Sequence, residues 1–262
     1  HSPWSKIAFR LLLSLPAFTT LVVITGALKT HFEVEWAIVE RGKKILVLPD
    51  GADPRPQSNP SESSGARPAP HKRKLVGYSG QLLEGKGIQI VMKLAQMCPE
   101  LDFHVAGGPG DAATRLRDEH GHLRNLFIHG FIDPPLVGDF IEGCDLVLLP
   151  NQPKIDLPGG QLDIGTWTSP LKLFEYMAAG KPIIASDLPV LREVLKNNQN
   201  ALLVPHDDLE AWAVTLRNLA ADDESQLRLG SRARQQFLSG YSWGHRATRL
   251  LEELETREAK GS

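Results

Sequence analysis

The stretch Thr168-Ser169-Pro170-Leu171-Lys172-Leu173-Phe174-Glu175-Tyr176-Met177-Ala178-Ala179-Gly180-Lys181-Pro182 carries the signals of a helix aimed at an anion. Ser169 is a favoured N-cap and Pro170 a favoured first helical residue, so a helix is expected from Pro170 to Ala179. The first amides of such a helix have no intrahelical partner and lie at the positive end of its dipole, where anions bind. Leu171, Phe174, Met177 and Ala178 define an apolar face. Lys172 and Glu175, three residues apart, emerge together on the neighbouring face near the helix start. The ammonium can neutralise phosphate oxygens, and the carboxylate can accept hydrogen bonds from vicinal sugar hydroxyls. An ordinary i,i+3 surface ion pair accounts for the same two residues at this level.

Outward from this helix the chain alternates short apolar runs with amphipathic ones. Strands are expected at Leu75–Tyr78, Leu101–Ala106, Leu126–His129, Leu146–Leu149, Pro182–Ala185 and Ala201–Val204. Helices are expected between them at Gly87–Met97, Ala112–His120, Pro135–Glu142 and Val190–Leu195. Alternating strands and helices imply right-handed crossovers and an α/β fold, a Rossmann-like parallel sheet with helices on both faces. Such sheets bind ligands beyond the carboxyl ends of their strands. Leu209 to Glu255 reads as helical, broken at Gly240–Trp243, and Lys154–Trp167 shows no readable pattern.

Before residue 54 the pattern is shorter: an apolar helix from Trp4 to Leu15, strands at Thr20–Thr25 and Ile45–Leu48, and a helix at Ala27–Val34. Arg10, Pro16, Thr19 and Thr20 interrupt the apolar Ile7–Ala27 stretch, which argues against a membrane span or signal peptide. Pro54 to Lys74 is rich in Pro, Ser, Gly, Asn and Arg and nearly devoid of apolar residues, the composition of an exposed linker. The expected division is therefore 1–53, a remnant of a second Rossmann-like domain; 54–73, a linker; 74–240, the larger Rossmann-like domain; and 241–262, a terminal helix.

The chain of 262 residues has 42% hydrophobic and 23% charged residues, the balance of a globular α/β protein. A formal net charge of -2 gives no global drive toward nucleic acid. Cys98 and Cys144 fit buried, reduced thiols and a cytoplasmic location. His120 and His122 have no Cys or carboxylate partners that would complete a metal set, so no metal site is expected. Gly107-Gly108-Pro109-Gly110 lacks the spacing of a dinucleotide fingerprint and reads as a strand-end turn, which disfavours a nicotinamide-dependent oxidoreductase.

The run Ser169–Pro182, continued by Ile183-Ile184-Ala185-Ser186-Asp187-Leu188-Pro189 and Arg192-Glu193-Val194, resembles glycosyltransferase family 4, whose members have the GT-B architecture. The resemblance extends to Val76–Gly80 with Lys86-Gly87, to Phe103–Gly108, to Ile128–Phe131 and to Asp145–Pro150. It implies a retaining enzyme that moves a sugar from a UDP- or GDP-sugar to an acceptor hydroxyl, with no metal or other cofactor. By that likeness Gly80, Gln81 and Lys86 lie at the donor diphosphate, Phe131 and Ile132 at the base, Glu175 at the ribose, and the start of the Ser169–Leu171–Lys172 helix at phosphate. Lys86, Lys172 and Glu175 are the expected catalytic residues. The acceptor, whether glycan, lipid or small molecule, is not specified, and relatives place peripheral membrane contact in their other domain.

Three departures from the family pattern stand out. Gln81 occupies a position where an arginine is common. Trp167 occupies the position of the family's first glutamate, for which Asp163 is a candidate substitute. Only two strands precede the linker, so an alternative is a nucleotide-sugar-binding module or fragment that is inactive without a partner acceptor domain.

Overall fold

The computed structural model describes residues 3–38, 42–55, 73–157, 160–162 and 165–261. Its first unit is a two-stranded parallel sheet of β1 (Thr20–Val23) and β2 (Lys44–Val47), with α1 (Pro3–Ser14) and α2 (Gly26–Trp36). Its core is Leu13, Val23, Ile38 and Ile45. β1 ends two residues earlier than expected because Thr25 turns out of the strand to cap α2, its hydroxyl accepting from the Leu28 amide.

The larger unit contains β3 (Leu75–Ser79), α3 (Ile88–Met97), β4 (Asp102–Ala106), α4 (Gly110–His120), β5 (Leu126–Gly130), α5 (Pro134–Gly143) and β6 (Leu146–Leu149). After β6 come β7 (Ile155–Leu157), β8 (Gly160–Leu162), α6 (Leu171–Ala178), β9 (Ile183–Ser186), α7 (Pro189–Arg192), β10 (Leu202–Val204), α8 (Leu209–Ala220), α9 (Asp223–Gly240) and α10 (Trp243–Gly261). Six strands form one parallel sheet in the order β10-β9-β6-β3-β4-β5. The chain winds from β3 toward one edge and from β6 toward the other, so the order reverses between β3 and β6. That reversal opens a crevice at the carboxyl ends of these two strands.

Every residue of β6 and β9 is buried, as expected of central strands covered on both faces. Successive side chains alternate between two cores. Leu146, Leu148 and Ile184 pack with Leu94 of α3 and Trp212 and Leu216 of α8. Val147, Leu149, Ile183 and Ala185 pack with Leu173, Phe174 and Met177 of α6 and Phe237 of α9. Cys98 and Cys144 are free thiols inside these cores, and burial pushes the Cys144 thiol up to about 12.

Two further elements differ from expectation. The patternless Lys154–Trp167 segment contains the antiparallel pair β7–β8, whose three-residue strands are too short for a periodicity to register. The helix expected over Val190–Leu195 is a single turn ending at Arg192, after which Asn200 takes over the backbone. Its side-chain amide accepts from Lys196 N and donates to Val194 O.

The two units meet where Ala52 and Ser242 form a parallel bridge: Ala52 N donates to Tyr241 O and Trp243 N to Ala52 O, both at 3.2 Å. From there α10 runs back along the smaller unit. Arg246 donates to the carbonyl oxygens of Leu48 and Pro49, and Lys44 pairs with Glu253. The expected linker lies mostly outside the described residues, since 56–72 are not among them. No described helix is long and apolar enough to cross a membrane.

Candidate functional site

The crevice at the reversal is built from close backbone approaches. Gly80 N, just past β3, donates to Ala106 O at 2.9 Å, and Gly107 N, just past β4, donates to Gly130 O at 2.6 Å. A Cβ at Gly107 would lie 1.9 Å from Gly80 O, so only glycine lets the two strand tips touch. Gly87, at φ +79°, would place a Cβ 1.9 Å from Pro150 O at the end of β6. This contact presses the 3-10 turn Glu84–Lys86 and the start of α3 against the crevice. Lys86 is thereby half-buried, and burial holds its ammonium below the ordinary lysine range.

α6 supplies the second cation and the carboxylate. Its first residue is Leu171, and Pro170 is the N-cap with ψ 118°. Ser169 is therefore not the N-cap expected from the sequence. Its hydroxyl instead accepts from the Asp50 amide at 3.3 Å, a partner delivered by the smaller unit. The amides of Leu171 and Lys172 precede the first bond of the helix, Leu173 N to Pro170 O, and remain available to an anion. Lys172 Nζ lies 2.9 Å from Glu175 Oε2, with both side chains about one-third exposed. The i,i+3 ion pair anticipated as an alternative is formed. A partly exposed pair of this kind contributes about 0.2–1 kcal/mol, so it holds the two side chains only loosely.

α6 is fixed to β3 by a residue that the sequence did not single out. The buried Tyr176 hydroxyl accepts from Ser79 N at 2.8 Å, joining the helix that bears Lys172 and Glu175 to the strand that ends in Gly80. Tyr78 similarly donates to Gln81 O at 2.8 Å and shapes the turn after β3, while the Gln81 side chain is exposed. Burial raises both phenols well above the usual range, so each stays protonated as a hydrogen-bonding strut.

Beside α6 lies a cavity of about 360 Å³ walled by Leu171, Glu175, Pro134, Pro135, Trp243 and Asp53. It unites Leu171 with Glu175, whereas Lys86, Lys172, Gly80, Gln81, Phe131 and Ile132 are outside its lining. Phe131, directly after β5, is two-thirds exposed, and Ile132 is half-buried. Trp167, at the position of the family's first glutamate, is half-buried and packs edge-on against His31 with ring centroids 4.2 Å apart. Asp163 lies outside the described residues. Among the described residues no three His, Cys, Asp or Glu side chains come together as metal ligands.

Residues 61–236 match the family described as "Glycosyl transferases group 1". A curated relative, the phosphatidyl-myo-inositol mannosyltransferase of Mycolicibacterium smegmatis, is 26% identical over 92% of this chain and 63% of its own length. The D-inositol 3-phosphate glycosyltransferase of Corynebacterium urealyticum is 24% identical over 84% of this chain and 54% of its own. The chain thus spans little more than half to about two-thirds of these relatives. Sucrose-phosphate synthase from Thermosynechococcus elongatus superposes with a TM-score of 0.72 at 18% identity, covering 98% of this chain and 62% of that one. Anabaena HepE, solved with UDP-glucose, gives 0.69 at 18% identity over 96% of this chain and 67% of that one. At that identity the structures establish the fold, and the family match over most of the chain establishes the lineage: the chain belongs to the group 1 glycosyl transferases.

Proposed function

We propose that this chain carries the donor site of a retaining glycosyltransferase that takes a UDP- or GDP-sugar. The observation that supports the reading most is the joint placement of α6 and β3. Tyr176 ties the free amides, Lys172 and Glu175 to the tip of β3 at the sheet reversal, and Gly87 brings Lys86 to the same crevice. Glu175 hydrogen-bonds the ribose, Phe131 and Ile132 border the base, and Gly80, Gln81 and Ser169–Leu171 shape the path of the diphosphate. As the bond between the sugar and the diphosphate breaks, negative charge grows on the leaving phosphate. Lys86, Lys172 and the amides of Leu171 and Lys172 stabilise that charge more than they stabilise the bound donor. The acceptor hydroxyl enters from the side of the smaller unit.

Calorimetric titration of the chain with UDP, GDP, UDP-glucose and GDP-mannose, repeated with Glu175→Ala, tests this reading. Saturable binding of one nucleoside diphosphate, weakened at least tenfold in the variant, is the expected result and names the base. Binding that the variant leaves unchanged would remove Glu175 from the site. If none of the four binds, the donor reading of this chain fails.

A further inference from the structure

The amides of Gly26, Ala27 and Leu28 come before the first intrahelical bond of α2, which runs from Lys29 N to Thr25 O. Leu28 N is met locally by the Thr25 hydroxyl at 3.2 Å. The other two are met from the larger unit: Gly26 N donates to Glu193 Oε2 at 2.8 Å and Ala27 N to Glu193 Oε1 at 3.1 Å. One carboxylate therefore completes the helix end, one oxygen to each amide, at the positive end of the dipole. Gly26 leaves the room for it, since a Cβ there would stand 3.2 Å from Glu193 Oε1.

Around this contact the same helix grips the segment that leads into α6. The Thr25 hydroxyl lies 3.5 Å from Trp167 O, and His31 packs edge-on against the Trp167 ring. Asp50 N reaches Ser169 two residues further along. The bridge at Ala52 and Ser242 joins the units where the chain crosses between them, and Glu193 joins them again at the start of α2.

We propose that Glu193 is a positioning residue whose carboxylate latches the start of α2 to the rim of the donor-side unit and so sets where the smaller unit stands over α6. The side chain is exposed, and an exposed carboxylate at a helix start shifts an equilibrium only about two- to fivefold. A latch of that strength favours the docked arrangement yet opens easily, which suits a rim that must admit a donor and release a nucleotide. The latch involves none of the groups assigned to the nucleotide, so it is separable from the donor reading.

Hydrogen exchange of the full chain, followed by mass spectrometry on peptides covering α2, reads the latch directly. In Glu193→Ala, exchange at the start of α2 should quicken about two- to fivefold, with affinity for a nucleoside diphosphate within twofold of the unsubstituted chain. Glu193→Gln, with a single acceptor oxygen, should give intermediate protection. Gly26→Val, whose branched side chain crowds the carboxylate, should quicken exchange at Ala27 in the same direction as Glu193→Ala. Unchanged exchange in both Glu193→Ala and Gly26→Val would overturn the proposal. A tenfold loss of nucleotide affinity in Glu193→Ala would also overturn it, by placing Glu193 in the donor pocket. Failure of the unsubstituted chain to bind any nucleotide would sink the donor reading alone, with the exchange data still deciding the latch.

Discussion

The two sheets of this protein solve the same packing problem to different depths. β6 and β9 bury every residue between two layers of helices, whereas β1 buries only Val23 and β2 only Ile45. Among the described residues the core cluster of the smaller unit has four buried members, and α1 leaves Trp4 and Leu11 largely exposed. A two-stranded sheet is marginal by itself, so its order depends on what it borrows. Here it borrows α10, the bridge at Ser242 and the Glu193 carboxylate from the larger unit. Stability resides in the six-stranded sheet, and the smaller unit is held by contacts weak enough to rearrange.

The strongest way to break this contrast is to open a cavity on each side of it. Phe174 is fully buried between the sheet and α9, and Phe174→Ala should cost about 3–5 kcal/mol. Denaturant unfolding followed by circular dichroism should show the main transition shifted accordingly. Ile38→Ala, in the four-residue core, should instead act locally and raise hydrogen exchange in α1 and α2 with little effect on the main transition. If Ile38→Ala moves the main transition as far as Phe174→Ala does, the two regions unfold as one body and the contrast is wrong.

Within the larger unit, Lys172→Ala sharpens the distinction between binding a donor and stabilising its departure. Turnover should fall about 100-fold, the scale for losing one donor to a developing anion, while nucleotide affinity falls by less than tenfold. Equal losses in steady-state rates and calorimetric affinity would contradict the assigned role. Tyr176→Phe should cost less, about 1–3 kcal/mol, by stranding the buried Ser79 amide. Because the same bond ties α6 to β3, nucleotide affinity should fall together with the unfolding midpoint.

What the sequence disclosed and what it hid divide along the same line. The central strands β6 and β9 are legible because strands covered on both faces read as continuous apolar runs, and α6 because Lys172 and Glu175 fall at helical spacing behind a Ser-Pro pair. Ser169 carries the local signal of a cap, but its hydroxyl is taken by Asp50, 119 positions away. Trp167 meets Thr25 across 142 positions and Glu193 meets Gly26 across 167, and no local pattern encodes either contact. The antiparallel pair β7–β8 is not legible, since three-residue strands carry too little alternation. Tyr176 lies outside the apolar face read from the sequence, and its partner Ser79 is 97 positions away, so no local spacing marks its hydroxyl.

Lys86 offers a comparison in pH. Burial lowers its pKa, so over the window from that lowered value up to the ordinary lysine value of 10.5 the unfolded chain holds a proton that the folded chain has released. Folding stability contributed by this group therefore rises with pH across the window. Nucleotide affinity should move the other way, because only the protonated ammonium attracts the diphosphate. Opposite slopes in thermal unfolding and in calorimetric titration, both abolished by Lys86→Met, are the expected result. A pH-independent affinity across the window would remove Lys86 from the diphosphate site.

The smallest expected effect concerns how α10 is held to the smaller unit. Lys44 pairs with Glu253, but the lysine is nearly half exposed, so the pair contributes at most about 1 kcal/mol and is screened by salt. Arg246 is more enclosed, and it meets two carbonyl oxygens beside the Asp50 carboxylate, whose pKa burial raises while the guanidinium opposes the rise. Lys44→Ala should therefore leave exchange in α10 almost unchanged at physiological salt. Arg246→Ala should loosen both α10 and residues 48–50, because two partly buried carbonyl groups lose their donor. If the two variants loosened α10 equally, exposed charge would be fastening it, and raising the salt concentration should then release the helix in the unsubstituted protein as well.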